Sequence, residues 1–106
     1  METWEDLLQQ GNEFFEWKDY EGAIASFDRA IEIKPDDHQA WYGRGLALSN
    51  LRRYEEVIAS YDRAIEIKPD NHEVWNNQSI ALENLGRYEE ANFTHFLRYF
   101  PRINTD

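Results

Sequence analysis

Cysteine is absent from the 106 residues, and so is any long apolar run. The lack of cysteine excludes disulfide bonds and thiolate metal sites, and it removes the commonest mark of an extracellular fold. No apolar run approaches the roughly 20 residues that a membrane-spanning helix needs. The opening sequence METWEDLLQQ has neither a basic leader nor an apolar segment, so we expect no targeting signal. These absences favour a cytoplasmic protein. The length predicts a single domain over residues 1–106.

Basic residues are scarce, because 11 lysines and arginines stand against 21 acidic residues and give a formal net charge of −10 at pH 7. Such a charge repels phosphate backbones and anionic lipid headgroups. We therefore expect neither nucleic acid nor a membrane surface as a partner. The acidic residues are spread along the chain, so most are predicted to be solvated or to cap helices. The alternative is that they attract a basic partner.

An internal repeat dominates what is present. The segment YEGAIASFDRAIEIKPDD at residues 20–37 recurs almost unchanged as YEEVIASYDRAIEIKPDN at residues 54–71, an offset of 34 residues. The same step leads to a degenerate third copy that starts at Tyr88. Apolar and small residues recur at steps of three and four, which is typical of amphipathic helices. We predict helices near residues 4–16, 20–33, 38–50, 54–67, 72–84 and 88–100.

Proline and short polar residues separate these helices. Pro35 and Pro69 are expected to stop the second helix of a pair, because proline lacks an N–H and clashes with the preceding turn. The polar pairs that follow, Asp36-Asp37 and Asp70-Asn71, are predicted to cap the amides of the next helix. The connections are therefore short.

Aromatic and small residues return at equivalent places in the copies: Trp41 and Trp75, Gly11 and Gly45, Tyr20, Tyr54 and Tyr88, Ala30 and Ala64. With the two prolines, this spacing resembles the tetratricopeptide repeat pattern, whose period is about 34 residues. The resemblance covers Trp4 to the region of Pro101. It implies an all-α fold, an α-solenoid in which six antiparallel helices form a right-handed superhelix of three helix-turn-helix repeats. The repeats would span about 4–37, 38–71 and 72–105, the third being degenerate.

The same resemblance implies a function. In that family the first helix of each pair lines a concave groove that receives peptides, so we expect a protein-interaction scaffold or adaptor whose partner is a protein or peptide. The groove set contains no lysine or arginine, and its amides can bond both donors and acceptors of an extended backbone. Its members are Leu8, Gln9, Asn12, Phe15, Tyr42, Leu46, Asn50, Asn76, Asn77, Ile80 and Asn84. The alternative is that these residues simply face solvent and have no role in binding.

One specialised groove of the family grips the carboxylate end of heat-shock chaperone tails with lysines, asparagines and an arginine. At the matching positions of this sequence only Asn12 agrees. Leu8 and Glu73 stand where lysines are required. Gly43 replaces an asparagine, and Asn77 replaces the arginine. Because Glu73 would repel a carboxylate, we do not expect this chain to bind such tails.

The last predicted helix departs from the pattern. Its apolar stripe, formed by Phe93, Phe96, Leu97 and Phe100, has helical spacing but lies one residue out of step with the earlier copies. Either the helix is rotated and forms a polar-faced terminal cap, or its aromatic residues dock on a second copy and make the chain a self-associating, homo-oligomeric module. A third interpretation is a fragment of a longer protein.

Histidines are the remaining candidates for chemistry. His38 and His72 occupy equivalent places beside capping residues, where a solvated cap is the expected role. His95 has no acidic residue at helical spacing. No phosphate loop, nucleophile elbow or zinc spacing appears. We therefore expect no enzymatic activity, no cofactor and no metal.

Overall fold

The computed structural model describes residues 1–87 and 89–93. It gives five helices with defined bounds: α1 (Trp4–Glu16), α2 (Tyr20–Ile33), α3 (His38–Asn50), α4 (Tyr54–Ile67) and α5 (His72–Asn84). All five predicted ranges are confirmed to the residue, and no strand occurs among the described residues. Residues 89–93 are also helical. The rest of the last predicted helix, with Phe96, Leu97 and Phe100, lies outside the described residues.

Side chains at the helix starts explain these bounds. Thr3 and Asp6 form a reciprocal capping box at α1, in which each side chain accepts a hydrogen bond of 3.1 Å from the other's backbone N–H. Asp37 and Asn71 precede α3 and α5, and each accepts from the backbone N–H two residues later at 3.1 Å. The predicted capping role of these two residues is confirmed. Such a cap stabilises a helix by about 1 kcal/mol.

The turn inside each helix pair has the same backbone form in all three copies. Lys18 and Arg52 adopt left-handed conformations with φ of 63° and 60°. Gly86, at the equivalent place in the third copy, has φ of 77°. Only glycine reaches this region without steric cost, so the first two copies carry a small strain that the third avoids.

The helices stack in chain order, so that each packs against the next, and α1 also contacts α3. The result is an elongated array with extents of 46 × 29 × 17 Å. We call α1, α3 and α5 the first helices and α2 and α4 the second helices. Since α1 and α3 are not consecutive, their contact places the first helices side by side on one face.

Two buried aromatic rings on the second helices explain the glycines. Phe27 and Tyr61 are each 1% exposed. A Cβ atom on Gly11 would overlap the ring of Phe27, and one on Gly45 would overlap the ring of Tyr61. Glycine therefore lets the first helix approach the ring of its own pair closely.

Polar bridges tie neighbouring repeats together. Arg44 of α3 donates to the carboxylate of Asp28 in α2 at 2.6 Å and to the hydroxyl of Ser60 in α4 at 2.7 Å. The equivalent residue of α5, Gln78, donates to Asp62 in α4 at 2.7 Å. The bonds to Asp28 and to Asp62 each join a first helix to the second helix of the preceding repeat, so both junctions have an equivalent polar connection. The bond to Ser60 instead joins α3 to α4 within one repeat.

The outer face of α1 differs from the corresponding faces of α3 and α5. Those two helices bury small apolar residues against the preceding repeat, whereas α1 exposes acidic residues at the same positions. The buried residues are Ala40, Ala47, Val74 and Ala81, and the exposed ones are Asp6 and Glu13. The outer side of α1 is therefore a polar surface. Of the helices in the described part of the chain, none is long and apolar enough to cross a bilayer.

Candidate functional site

A pocket of about 380 Å³ lies where α1 and α3 meet on the face of the first helices. Its lining combines apolar side chains with amides. The structure brings four of the predicted groove residues together here, Leu8, Asn12, Tyr42 and Leu46, and adds His38, Gln39, Gly43 and Asn71. Leu8, Tyr42 and Leu46 are half-buried, so an apolar group that enters the pocket would contact them.

Tyr42 connects this pocket to the next repeat. Its hydroxyl accepts a hydrogen bond of 3.1 Å from the Asn77 amide on α5. Its ring lies 5.8 Å from the ring of Tyr61, measured between centroids. Burial and the nearby carboxylate of Glu73 raise the pKa of Tyr42 to about 12. The hydroxyl therefore stays protonated at neutral pH, fixed between α3 and α5.

Asn50 and Asn84 occupy equivalent places at the ends of α3 and α5. Each side-chain Nδ2 donates to a backbone carbonyl one turn earlier, Leu46 and Ile80 respectively, at 2.9 Å. Both side chains are exposed. One N–H of each amide is thus used within its own helix, which leaves the other N–H and the amide oxygen to bond a peptide.

The other predicted groove residues take several roles. Phe15 is half-buried and packs edge-on against Tyr20 with 5.5 Å between ring centroids, so it supports the turn of the first helix pair. Gln9 donates to Glu13 at 3.5 Å on the surface of α1. Asn76 is exposed on α5, and Ile80 is 47% exposed. None of these four lines the pocket between α1 and α3.

Phe93 is the one described member of the predicted self-association stripe, and it is 61% exposed. It borders a second, smaller concavity of about 180 Å³ together with Ile58, Gln78 and Leu82. That concavity lies at the junction between α4 and α5, away from the pocket of α1 and α3. The structure therefore separates the two predicted surfaces.

Ion pairs are unevenly distributed between the two sets of helices. The first helices carry six carboxylates, Glu5, Asp6, Glu13, Glu16, Glu73 and Glu83, and one cation, Arg44. Arg44 is already paired with Asp28 at 2.6 Å. Carboxylates of the second helices instead meet arginines, as in the pairs of Arg53 with Glu56 at 2.8 Å and Arg63 with Glu66 at 2.6 Å. The hydrogen bond from Arg53 lowers the pKa of Glu56. Among the described residues none of the six first-helix carboxylates forms an ion pair, whereas five of the seven carboxylates of α2 and α4 do. The unpaired carboxylates are therefore concentrated on the first helices.

Gly43 gives a steric reason why this groove differs from one that grips a carboxylate. A Cβ atom at this position would lie 2.6 Å from the ring of Phe27, which is buried. The asparagine that such a groove requires here would therefore have to displace that ring. Leu8, where a lysine is required, lines the same pocket with an apolar side chain.

His38 and Asn71 line the pocket, although sequence reasoning placed them only at helix starts. His38 is half-buried and directly precedes Gln39. The positions of His38 and Asn71 could have indicated this role, because both residues lie at the start of a first helix, where a side chain can reach the adjacent groove. Among residues 1–87 and 89–93, no group of three or more histidine, aspartate or glutamate side chains could hold a metal ion.

Comparison with known families gives three overlapping matches. The models described as "TPR repeat" and "Tetratricopeptide repeat" match residues 11–51, 38–71 and 60–91. The second match covers the pair of α3 and α4, and the three together extend from α1 into the helical residues after α5.

Curated proteins and solved structures give further matches. Protein PHOX1 of Arabidopsis thaliana is 42% identical over 33 residues, which make up 31% of this chain and 4% of that protein. The TPR2B domain of yeast Sti1, solved as a pHsp70 complex, is 26% identical, covers 86% of this chain and 73% of its own, and has a TM-score of 0.82. A structure of MamA AMB-1 is 24% identical over 91% of this chain, with a TM-score of 0.84. This chain spans 57% of that MamA chain.

Proposed function

Since this chain belongs to the tetratricopeptide repeat family, we propose that it is a scaffold or adaptor that binds an extended peptide segment of a partner protein along its first helices. The family and the solenoid fold make it a protein-interaction module. The observation that carries the finer proposal is the pocket between α1 and α3. Leu8, Tyr42 and Leu46 converge there from two helices that are not consecutive in the chain. Such a pocket can take one side chain of a peptide that runs across the array.

The amides along the same face support recognition of the peptide main chain. An extended segment presents N–H and C=O groups that need partners. Asn50 and Asn84 are held by their own helices at equivalent positions of successive repeats, so they offer polar groups at a regular spacing. Because these amides are already oriented, less conformational entropy is lost when they bind.

The yeast Sti1 domain supports a protein partner in general, because its structure is described as a complex with pHsp70. We do not propose that ligand for this chain. At the positions that would hold a chaperone tail, this chain has Leu8, Gly43 and Glu73. A larger residue in place of Gly43 would overlap the ring of Phe27.

A selection experiment tests the proposal. A displayed library of random dodecapeptides is selected on the immobilised full chain, and the enriched peptides are then titrated against variants. We expect Asn50→Ala/Asn84→Ala to weaken binding at least about fivefold, since each lost hydrogen bond contributes about 0.5–1.5 kcal/mol. Circular dichroism should show an unchanged helical fold.

The matched control is Glu32→Ala/Glu66→Ala, which changes two exposed positions on the second helices. The control should bind like the wild type. Peptides that bind all three proteins equally would contradict the groove as the binding surface, and so would a library from which nothing is enriched.

The second candidate function is self-association, which the 61% exposure of Phe93 favours. In this case the partner would be another copy of the chain rather than a peptide in the groove. Light scattering on the purified chain tests it: Phe93→Ser should convert an oligomer to a monomer and leave peptide binding unchanged. A wild-type chain that stays monomeric at high concentration would exclude this function.

A further inference from the structure

We propose that the peptide held by this groove is basic, and that it places a lysine or arginine side chain against Glu73 next to an apolar side chain in the pocket of Leu8, Tyr42 and Leu46. This inference deepens the proposed function and rests on it. It follows from the position of Glu73 beside the pocket and from the distribution of ion pairs over the described residues.

Glu73 lies between a residue that lines the pocket and a residue that bonds Tyr42 of its lining. Asn71, which lines the pocket, accepts a hydrogen bond of 3.1 Å from the backbone N–H of Glu73. Asn77, one helical turn after Glu73, donates to the hydroxyl of Tyr42 at 3.1 Å. Residues four apart on a helix share a face, so the Glu73 carboxylate stands at the rim of the pocket beside Tyr42. Its charge accordingly contributes to the raised pKa of Tyr42.

The charge of Glu73 is not met within the described part of the chain. No lysine, arginine or histidine of residues 1–87 and 89–93 lies within ion-pair distance of its carboxylate, and the side chain is exposed. By contrast, Glu56 on α4 is paired with Arg53, and Glu90 is paired with Arg87 at 2.6 Å. Most carboxylates of α2 and α4 are thus paired within the chain, whereas the Glu73 carboxylate has no cation beside it among the described residues and could pair with one from a ligand.

The ligand chemistry follows from these groups. A lysine or arginine can form a charge-assisted hydrogen bond to the Glu73 carboxylate, and the half-buried ring of Tyr42 offers an aromatic face to the same cation. The adjacent apolar pocket would hold a leucine-like neighbour of that cation. An acidic segment would instead be repelled, because the only cation on the first helices, Arg44, is committed to Asp28 and Ser60.

The test uses peptides selected on the full chain and a matched pair of variants. Glu73→Gln and Glu32→Gln remove the same charge from exposed positions, one beside the pocket and one on α2. We expect the selected peptides to be enriched in lysine and arginine beside an apolar residue. Replacing that cation with glutamine should weaken wild-type binding by about two- to fivefold at low salt, the range of exposed ion pairs, and less at high salt.

Glu73→Gln should show the same loss with the basic peptide and no further loss with its glutamine version, whereas Glu32→Gln should bind both peptides like the wild type. Peptides without a basic bias, or equal losses in the two variants, would overturn this proposal. Groove binding itself would still stand if Asn50→Ala/Asn84→Ala weakens the binding of the selected peptides. If no peptide is enriched, or if that double variant has no effect, the proposed function fails and this inference fails with it.

Discussion

The second helices are nearly copies of each other, whereas the first helices are not. α2 and α4 differ at three of their 14 positions. α3 and α5 share only five of their 13 residues, and α1 shares only Gly11 with its counterpart Gly45 when compared with α3. The three first helices nevertheless occupy equivalent places in the array, as the two second helices do. The comparison separates the residues that build the repeat from those that are open to vary.

The residues that do recur in the first helices make the same contacts in both copies. The indole N–H of Trp41 donates to the carbonyl of Pro35 at 2.8 Å, and that of Trp75 donates to Pro69 at 2.7 Å. Leu48 and Leu82 are buried at equivalent positions. The varying residues include Tyr42, Leu46, Asn77 and Ile80 and lie on the candidate groove face, which is where a ligand-specific surface would be expected to vary.

The largest effect is expected from truncating a second-helix ring. Phe27→Ala should lower the free energy of unfolding by about 3–5 kcal/mol, because it removes the ring that packs against Gly11 and Gly43. Urea denaturation followed by circular dichroism measures it. If this variant does not fold, Phe27→Leu can be measured instead, with a smaller expected loss of about 1 kcal/mol. A loss no greater than that of Asn12→Ala on the groove face would break the comparison.

The bridge between repeats is expected to have an intermediate effect. Arg44→Ala should cost about 1–2 kcal/mol, because it removes the hydrogen bonds to Asp28 and Ser60 from a partly buried site. Arg44→Gln should cost less, since Gln78 makes the equivalent bridge to Asp62 in the next repeat. The same urea titrations measure both. Equal losses in the two variants would show that the junctions do not use equivalent contacts.

The turns predict a gain rather than a loss. Lys18→Gly and Arg52→Gly should each raise the free energy of unfolding by up to about 1 kcal/mol, because glycine removes the cost of a left-handed residue and Gly86 already occupies the third equivalent place. Thermal unfolding measures the shift. Gly86→Ala should have the opposite sign. Destabilisation by both glycine substitutions would contradict the equivalence of the three turns.

The smallest effect concerns alkaline pH. The pKa of Tyr42 is raised to about 12 in the folded chain, against about 10 in an unfolded one, so folding favours the protonated hydroxyl. Its contribution is complete below pH 10 and is lost as the pH rises from about 10 to 12. Tyr42→Phe should therefore make the unfolding free energy fall less steeply in this range, as pH-dependent urea titrations can show. An unchanged slope would mean that the hydroxyl is not held between Glu73 and Asn77.

Much of the fold could be predicted because local chemistry marks it. Asp37 and Asn71 cap helices, Pro35 and Pro69 follow helix ends, and the period places the five helices to the residue. The bridge from Arg44 to Asp28 was not predicted, although Gln78 and Asp62 repeat its spacing of 16 residues. A long polar side chain gives no sign of its partner until the packing of the two helices is known.

The candidate site was predicted only in part, for a related reason. Leu8, Asn12, Tyr42 and Leu46 do meet in one pocket, because repeat geometry sets which face of each first helix they occupy. Sequence spacing gave no sign that Phe15 packs against Tyr20 or that Asn50 bonds its own helix, since both depend on side-chain rotamers and local competition for hydrogen bonds.

The most direct test is nuclear magnetic resonance on the isotope-labelled full chain, titrated with a peptide selected on it. The account predicts that amide shifts concentrate on α1, α3 and α5, and that the side-chain NH₂ signals of Asn12, Asn50, Asn77 and Asn84 move. Signals of the outer residues of α2 and α4 should stay in place. Shifts confined to the second helices, or to the surface around Phe93, would contradict a groove formed by the first helices.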